Sequence, residues 1–232
     1  MKIKKFKLLE GAAKAEGLTV IIDVFRAYTT AVYLFANGAE EIFVVSKVET
    51  AKKLKEKLDN PVLVGERKGI KVKSFDYNNS PYFISQHNFG GKKIILSTSA
   101  GTKGIIAAEN ADEIITGSFV NIKAAAEYIK EKRPELVSLV AMGNNGATEA
   151  DEDNLYAEEL ERILKGEQPL TETEIRKRLR SPAGDRFFTE ADQSEMPQED
   201  FEYSLKVNKF DFVIKAEKVK SDIYQLKRKE VG

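Results

Sequence analysis

The sequence of 232 residues predicts an α/β protein, with a mostly parallel or mixed sheet carrying helices on both faces. Two patterns predict it. Six short runs rich in Val and Ile are nearly continuous in apolar residues, as strands buried on both faces are. Segments of helical period lie between them, and that alternation is what crossover connections between strands produce.

The elements follow in order. LTVIIDV (18–24) is the first strand, and Ala27, Ala31, Leu34 and Phe35 then recur at helical spacing up to the stop at Asn37 and Gly38. EIFVVS (41–46) is a second strand, followed by the helical VETAKKLKEKL. PVLVGE (61–66), KIILSTS (93–99), EIITGS (113–118) and LVSLVAMG (136–143) supply four more strands. NIKAAAEYIKEK and DNLYAEELERILKG are amphipathic helices, the second closing at Gly166. Beyond Pro182 the texture becomes polar and irregular, and FDFVIKAEKV reads as a late strand at a sheet edge. One domain over residues 1–232 is expected, with 183–232 a less regular part that completes that edge.

Composition narrows the chemistry. Lys plus Arg and Asp plus Glu number 37 each, so no net field favours nucleic acid or an anionic membrane. The absence of Cys excludes a disulfide framework, a thiolate zinc site and a cysteine nucleophile. A single histidine, His87, excludes a histidine metal cluster and reads as a surface residue. No stretch approaches the roughly twenty apolar residues of a membrane span, and the basic N-terminus has no apolar core of a signal peptide. A soluble cytoplasmic protein is expected, and a homo-oligomer is compatible with the pattern.

In an open parallel sheet, ligands bind beyond the carboxyl ends of the strands, where loops diverge and helix N-termini present free N–H groups. Those ends are unusually polar in this chain. The first runs into Asp23, Arg26, Thr29 and Thr30; the third into Glu66 and Arg67; the fourth into Ser99, Gly101 and Thr102; the fifth into Ser118 and Asn121. The sixth runs into GNNGATEADED, which holds Glu152 and Asp153. Carboxylates suit a divalent cation, arginines suit phosphate oxygens, and Gly, Ser and Thr supply neutral donors. A small phosphorylated acid is the ligand class that uses all three.

Each piece also has a purely structural account. Asp23 can cap a helix, although Arg26 then stands where the helix dipole disfavours a cation. The stretch NNSP is a good helix start, with Ser80 as cap and Pro81 in the first turn; the run of acids near Glu152 is a favourable first turn. Convergence at several strand ends favours the functional account.

The same residues carry a resemblance. DVFRAYTTAVYLFANGA, GERKGIKVKSFDYNNSP, STSAGTKGI, GSFVNIKAAAEYI and MGNNGATEADEDNLYAEEL follow one another as the blocks of the 2-phosphosulfolactate phosphatase family do. The chain departs from that family's pattern at Tyr28, Ser74, Asn78 and Glu158. The resemblance implies a three-layer α/β/α fold and a Mg²⁺-dependent phosphatase that converts 2-phospho-3-sulfolactate to sulfolactate and phosphate, a step of coenzyme M biosynthesis.

With no Cys, one His, and Phe25 where an aspartyl-phosphate enzyme would carry its second acid, direct in-line attack by water is the expected mechanism. Mg²⁺, or Mn²⁺ in its place, would be held by Asp23, Glu66 and Glu152 or Asp153. Arg26 and Arg67 would stabilise charge on the phosphoryl oxygens. Thr29, Thr30, Asn79, Ser80, Ser99, Gly101, Thr102, Ser118 and Asn121 would contact substrate or phosphate, and Asp76 or Asp153 would be the general base. Two readings from other classes remain: a phosphorylated-metabolite sensor without turnover, and an assembly subunit pairing through FDFVIKAEKV.

Overall fold

Each of the six apolar runs is a strand in the computed structural model, which describes residues 1–189 and 193–231. The order along the chain is β1 (Lys2–Lys7), α1 (Leu8–Ala13), β2 (Gly17–Ile22), α2 (Ala27–Ala36), β3 (Glu41–Val45), α3 (Val48–Lys55), β4 (Val62–Arg67) and β5 (Ile70–Lys71). It continues through α4 (Pro81–Ser85), β6 (Lys93–Ser97), α5 (Gly101–Ala107), β7 (Ala111–Gly117), α6 (Ile122–Lys132), β8 (Leu136–Ala141) and α7 (Asp151–Lys165). Last come α8 (Glu172–Leu179), α9 (Gln198–Ser204), β9 (Phe212–Lys220) and β10 (Ile223–Glu230), with single 3₁₀ turns at Phe119–Asn121 and Asp185–Phe188.

The strands form one mixed sheet of ten in the order β1-β8-β2-β7-β9-β10-β3-β6-β4-β5. β1, β8, β2 and β7 are mutually parallel, and so are β3, β6 and β4. Between the two groups stands the β9–β10 hairpin, antiparallel to both neighbours and within itself. Three antiparallel steps reverse direction, so the two parallel groups run in opposite senses.

That hairpin corrects one expectation. FDFVIKAEKV is central in the sheet, not at its edge. Phe212, Val213 and Ile214 are fully buried, Phe212 and Ile214 in one core and Val213 in the core on the opposite face. The charged half of each hairpin strand is exposed beyond the neighbours, which is why the segment read as peripheral. Residues 190–192 and 232 of the C-terminal part lie outside the described residues.

Alternation of burial makes three layers. On one face Ile21, Ile42, Val64, Leu96 and Val140 pack against α1, α2 and α5. On the other, Val20, Ile22, Val137 and Leu139 meet α6, α7, α8 and α9, while Leu63 and Ile95 meet α3. Strands buried on both faces need apolar residues at every position, which is what the six runs showed. β1 and β10 escaped notice because four of the six residues of β1 are lysines and none is fully buried, while β10 buries only Tyr224 and Leu226 before running into Lys227, Arg228 and Lys229, so neither carries much apolar signal.

Helix starts follow local chemistry. Ser80 caps α4 by accepting the Phe83 N–H at 3.2 Å, with Pro81 in the first turn. α8 opens on a capping box in which Thr171 and Glu174 satisfy each other's backbone N–H. α7 begins with Asp151, Glu152 and Asp153 and ends at Gly166 in the left-handed conformation.

Candidate active site

Five places along the sheet separate β2 from β6, and at the usual spacing of about 4.8 Å a flat sheet would hold them far apart. Their C-terminal ends nevertheless touch. Asp23, just past β2, accepts the Gly101 N–H of α5 at 2.8 Å through Oδ2 and the Ala27 N–H of α2 at 3.1 Å through Oδ1. The sheet therefore twists and curls until strand ends of its two groups meet. Gly101 permits the approach: a Cβ there would sit 2.9 Å from Asp23 Oδ2.

A cavity of about 240 Å³ opens at this junction. Its polar lining includes Asp23, Arg26, Glu66, Asn79 and Ser99 from the expected set. Lys68, Asn144, Asn145 and Arg186 add polar groups that the expected set lacked, and Phe25, Phe187 and Met196 form an apolar wall.

Glu66 is anchored across β4 and β6. Oε1 accepts the Ser99 N–H at 2.7 Å, and Oε2 accepts the Gly69 N–H at 2.7 Å and the Ser99 hydroxyl at 3.1 Å. Asp153 plays the corresponding part on the other side: Oδ1 accepts the Val24 N–H and Oδ2 the Gly143 N–H, both at 2.8 Å. It thus ties the start of α7 to the ends of β2 and β8. Gly143 is required there, since its φ of +64° is left-handed and a Cβ would lie 2.1 Å from the Thr148 carbonyl.

These acids are buried close together. Burial pushes the Asp23 carboxyl up to about 6, the negative charges of Glu66 and Glu152 push the same way, and the Ala27 and Gly101 N–H groups oppose them. Burial, then Glu152 and Asp23, hold Asp153 well above the usual carboxylate range. Burial raises Glu152 also, against the lowering charge of Arg186. Such a cluster gains from a bound cation.

Arg26 is buried and meets Asp200 of α9 in an ion pair of 2.6 Å, with the same nitrogen donating to the Glu195 carbonyl at 2.8 Å. Its other terminal nitrogen donates to the Gly69 carbonyl at 3.3 Å. Asp200 also accepts the Ser80 hydroxyl at 2.6 Å and the Tyr82 N–H at 3.0 Å. Burial lifts its carboxyl above the ordinary value, against the pull of Arg26. Arg186 is held in a similar way, donating to Glu152 and, at 2.8 Å, to Asn144 Oδ1.

Several expected site residues lie elsewhere. Arg67 does not line the cavity: its guanidinium donates to the carbonyls of Glu66, Ser97 and Ser46 and to the Ser97 hydroxyl. Burial lowers its pKa, with Glu66 opposing. Asp76 is exposed and accepts the Leu63 N–H at 2.8 Å, a turn contact away from the cavity. Thr29 donates to the Val24 carbonyl, and Thr102 to the Thr98 carbonyl, so both brace their own turns. Thr30 is buried in α2 outside the cavity lining, and its hydroxyl has no hydrogen-bond partner among the described residues. Ser118 donates to Asn121 Oδ1 at 3.4 Å, and Asn121 donates to the Phe212 carbonyl at 2.9 Å, joining the turn after β7 to the hairpin. Ser80 serves as helix cap and as a partner of Asp200. His87 is exposed beside Tyr77, as expected.

Of the acids expected as metal ligands, Asp23 and Glu66 reach the cavity. Among the described residues no three acids or histidines gather as ligands to one ion. Glu152, paired with Arg186, and Asp153 do not line the cavity. The donor chemistry still fits a hard cation: Mg²⁺ is commonly held by one or two carboxylates, with substrate phosphate and water supplying the rest.

The sequence matches known proteins. The model of a family described as 2-phosphosulpholactate phosphatase matches residues 4–218. The chain belongs to that family. The 2-phosphosulpholactate phosphatase family is one of phosphoric monoester hydrolases, and relatives agree with the placement. A Bacillus subtilis protein named "Probable 2-phosphosulfolactate phosphatase" is 32% identical over 85% of this chain and 86% of its own length. Proteins of the same name from Carboxydothermus hydrogenoformans and Thermotoga petrophila are 42% and 40% identical. Those two matches span 57% and 54% of the relatives' lengths, a little over half.

The departures from the family pattern divide by place. Ser74 and Glu158 are exposed. Tyr28 is buried beneath the α5 turn and donates to the Gly101 carbonyl at 2.6 Å. Asn78 donates to the Gly69 carbonyl at 3.2 Å and to Glu195 Oε2 at 2.6 Å, binding the C-terminal segment to the cavity wall. Among the described residues no helix is long and apolar enough to cross a membrane.

Proposed function

We propose that the chain hydrolyses the phosphoester of 2-phospho-3-sulfolactate, with Mg²⁺ or Mn²⁺ held by Asp23 and Glu66. The observation that carries this is the meeting of two buried carboxylates with Arg26, Lys68 and Arg186 around one small cavity. A volume of about 240 Å³ lies below the range usual for drug-sized ligands, so it suits a compact phosphorylated acid rather than a nucleotide. The names of the relatives supply the substrate. The reading includes a cytoplasmic enzyme of coenzyme M biosynthesis.

The cation would polarise the phosphoryl oxygens and lower the pKa of the attacking water. The chain's own residues orient and neutralise. Arg26, locked between Asp200, the Glu195 carbonyl and the Gly69 carbonyl, presents a fixed positive charge to the phosphoryl group. The buried Asn79 Oδ1, on a residue of the cavity wall, has no hydrogen-bond partner among the described residues, and as an acceptor it would take a hydrogen bond from the attacking water. Phe25, Phe187 and Met196 exclude bulk water from one side. Phosphoryl transfer has a loose transition state, so water needs positioning more than deprotonation. Asp153 and Asp76, neither of which lines the cavity, are not required as bases.

The test is phosphate release from 2-phosphosulfolactate by the purified chain, with Mg²⁺ and with chelator. Release that needs the metal supports the proposal. Tight, metal-dependent binding of the ester without release would replace it with the sensor.

A further inference from the structure

The structure assigns a role to a residue outside every strand-end motif: we infer that Arg186 is the specificity-determining cation that receives the sulfonate end of the substrate, and that Glu152 positions it. This rests on the phosphatase reading of the same cavity.

Arg186 lies in the 3₁₀ turn Asp185–Phe188 and lines the cavity. Its terminal nitrogens are occupied, one by Glu152 and one by Asn144 Oδ1. Its Nε is buried and has no partner among the described residues. A buried guanidinium N–H without an acceptor is costly, and a ligand oxygen removes that cost. Arg26, the other arginine on the cavity, is held by Asp200 and the Gly69 carbonyl, which leaves Arg186 for a second anionic group.

The surroundings select the kind of anion. The Arg186 guanidinium lies 5.5 Å from the Phe25 ring centroid and 5.3 Å from that of Phe187. A guanidinium is weakly hydrated and keeps its charge against an apolar wall. A sulfonate, its charge spread over three oxygens, is weakly hydrated in the same way and offers acceptors in several directions. Glu152 is 3% exposed and accepts from this arginine, so its carboxylate serves to orient the fork.

Two substrates isolate the role: 2-phosphosulfolactate, and 2-phospholactate, which lacks the sulfonate. Arg186→Gln is expected to lower the preference for the sulfonated ester over 2-phospholactate, read as the ratio of their kcat/KM values, by about 10- to 100-fold, mainly through KM for the sulfonated ester. Glu152→Gln should raise the same KM by a smaller factor with kcat retained. Because Arg186→Gln leaves Glu152 buried without its partner, the double variant Glu152→Gln/Arg186→Gln, which removes that charge, is assayed beside it for the same selective loss. Equal loss on both substrates, or undiminished preference for the sulfonated one, overturns the inference. Calorimetric binding of 3-sulfolactate separates this inference from the phosphatase reading. Wild type that binds it without turning over the ester, with binding lost in Arg186→Gln, leaves the inference standing and removes the hydrolase. Wild type that neither binds nor hydrolyses removes both.

Discussion

The ends of β2 and β4 each present an acid followed by an arginine, yet they use the pair differently. Asp23 and Arg26 both line the cavity. Glu66 lines it and Arg67 does not. The spacing explains the difference. Glu66 and Arg67 are adjacent on a strand, where successive side chains point to opposite faces, so one of them must turn away. Asp23 and Arg26 are three apart across the turn into α2, and the chain reverses between them. A motif in which charge and base are adjacent on a strand therefore supplies one site residue, whereas a turn supplies two.

The largest break of this comparison should come from Asp23→Asn, with phosphate release falling about a thousandfold or more in a metal-supplemented assay. Stability should move the other way when metal is absent. The folded carboxyl stands at about 6 against an ordinary 3.8, so its favourable contribution is full below about pH 4 and lost as pH rises through 6. Melting curves of the metal-free wild type should lose ground across that window relative to the Asn variant. Mg²⁺ should restore the difference, more at pH 8 than at pH 5, because a ligating carboxylate must be ionised. Equal pH profiles for the two proteins would show that Asp23 is not the buried acid described.

Next in size is Arg26→Gln, expected to lower kcat/KM about a hundredfold. Asp200→Asn should cost roughly tenfold in activity, since Arg26 keeps its charge but loses its partner, and about 3 kcal/mol in stability because a buried pair is broken. Denaturant unfolding and steady-state kinetics read the two effects separately.

Arg67→Gln should leave activity within about fivefold while lowering stability by roughly 1–3 kcal/mol, because carbonyls at the strand ends lose their donor. Activity lost to the same extent as in Arg26→Gln would erase the contrast between the two strand ends. The smallest effect belongs to Asp76→Asn: turnover within about twofold, with slight destabilisation from the weakened bond to Leu63 N–H.

The NNSP stretch shows a structural and a functional account holding together. Ser80 caps α4, as its sequence context says, and the same hydroxyl fixes Asp200 behind Arg26. Ser118 and Asn121 show the opposite outcome. Their polar side chains at a strand end were read as ligand contacts, but they join one turn to the β9–β10 hairpin. Polarity at a strand end marks a place where hydrogen bonds are needed, and a buried loop needs them as much as a ligand does.

By itself the sequence determined the six buried strands, the start of α4 at Ser80, the stops at Asn37 and Gly166, and the acids Asp23 and Glu66 that line the cavity. These depend on periodicity and capping among residues a few positions apart. The tertiary structure alone decided that the parallel groups run in opposite senses, that the hairpin is central, that Asp200 stands behind Arg26 and that Arg186 lines the cavity. Arg26 and Asp200 are 174 residues apart in the chain, and Arg186 and Glu152 are 34 apart. Such pairs leave no local pattern, because what brings them together is the burial of α9 and the Phe187 turn against α7 and the ends of the strands.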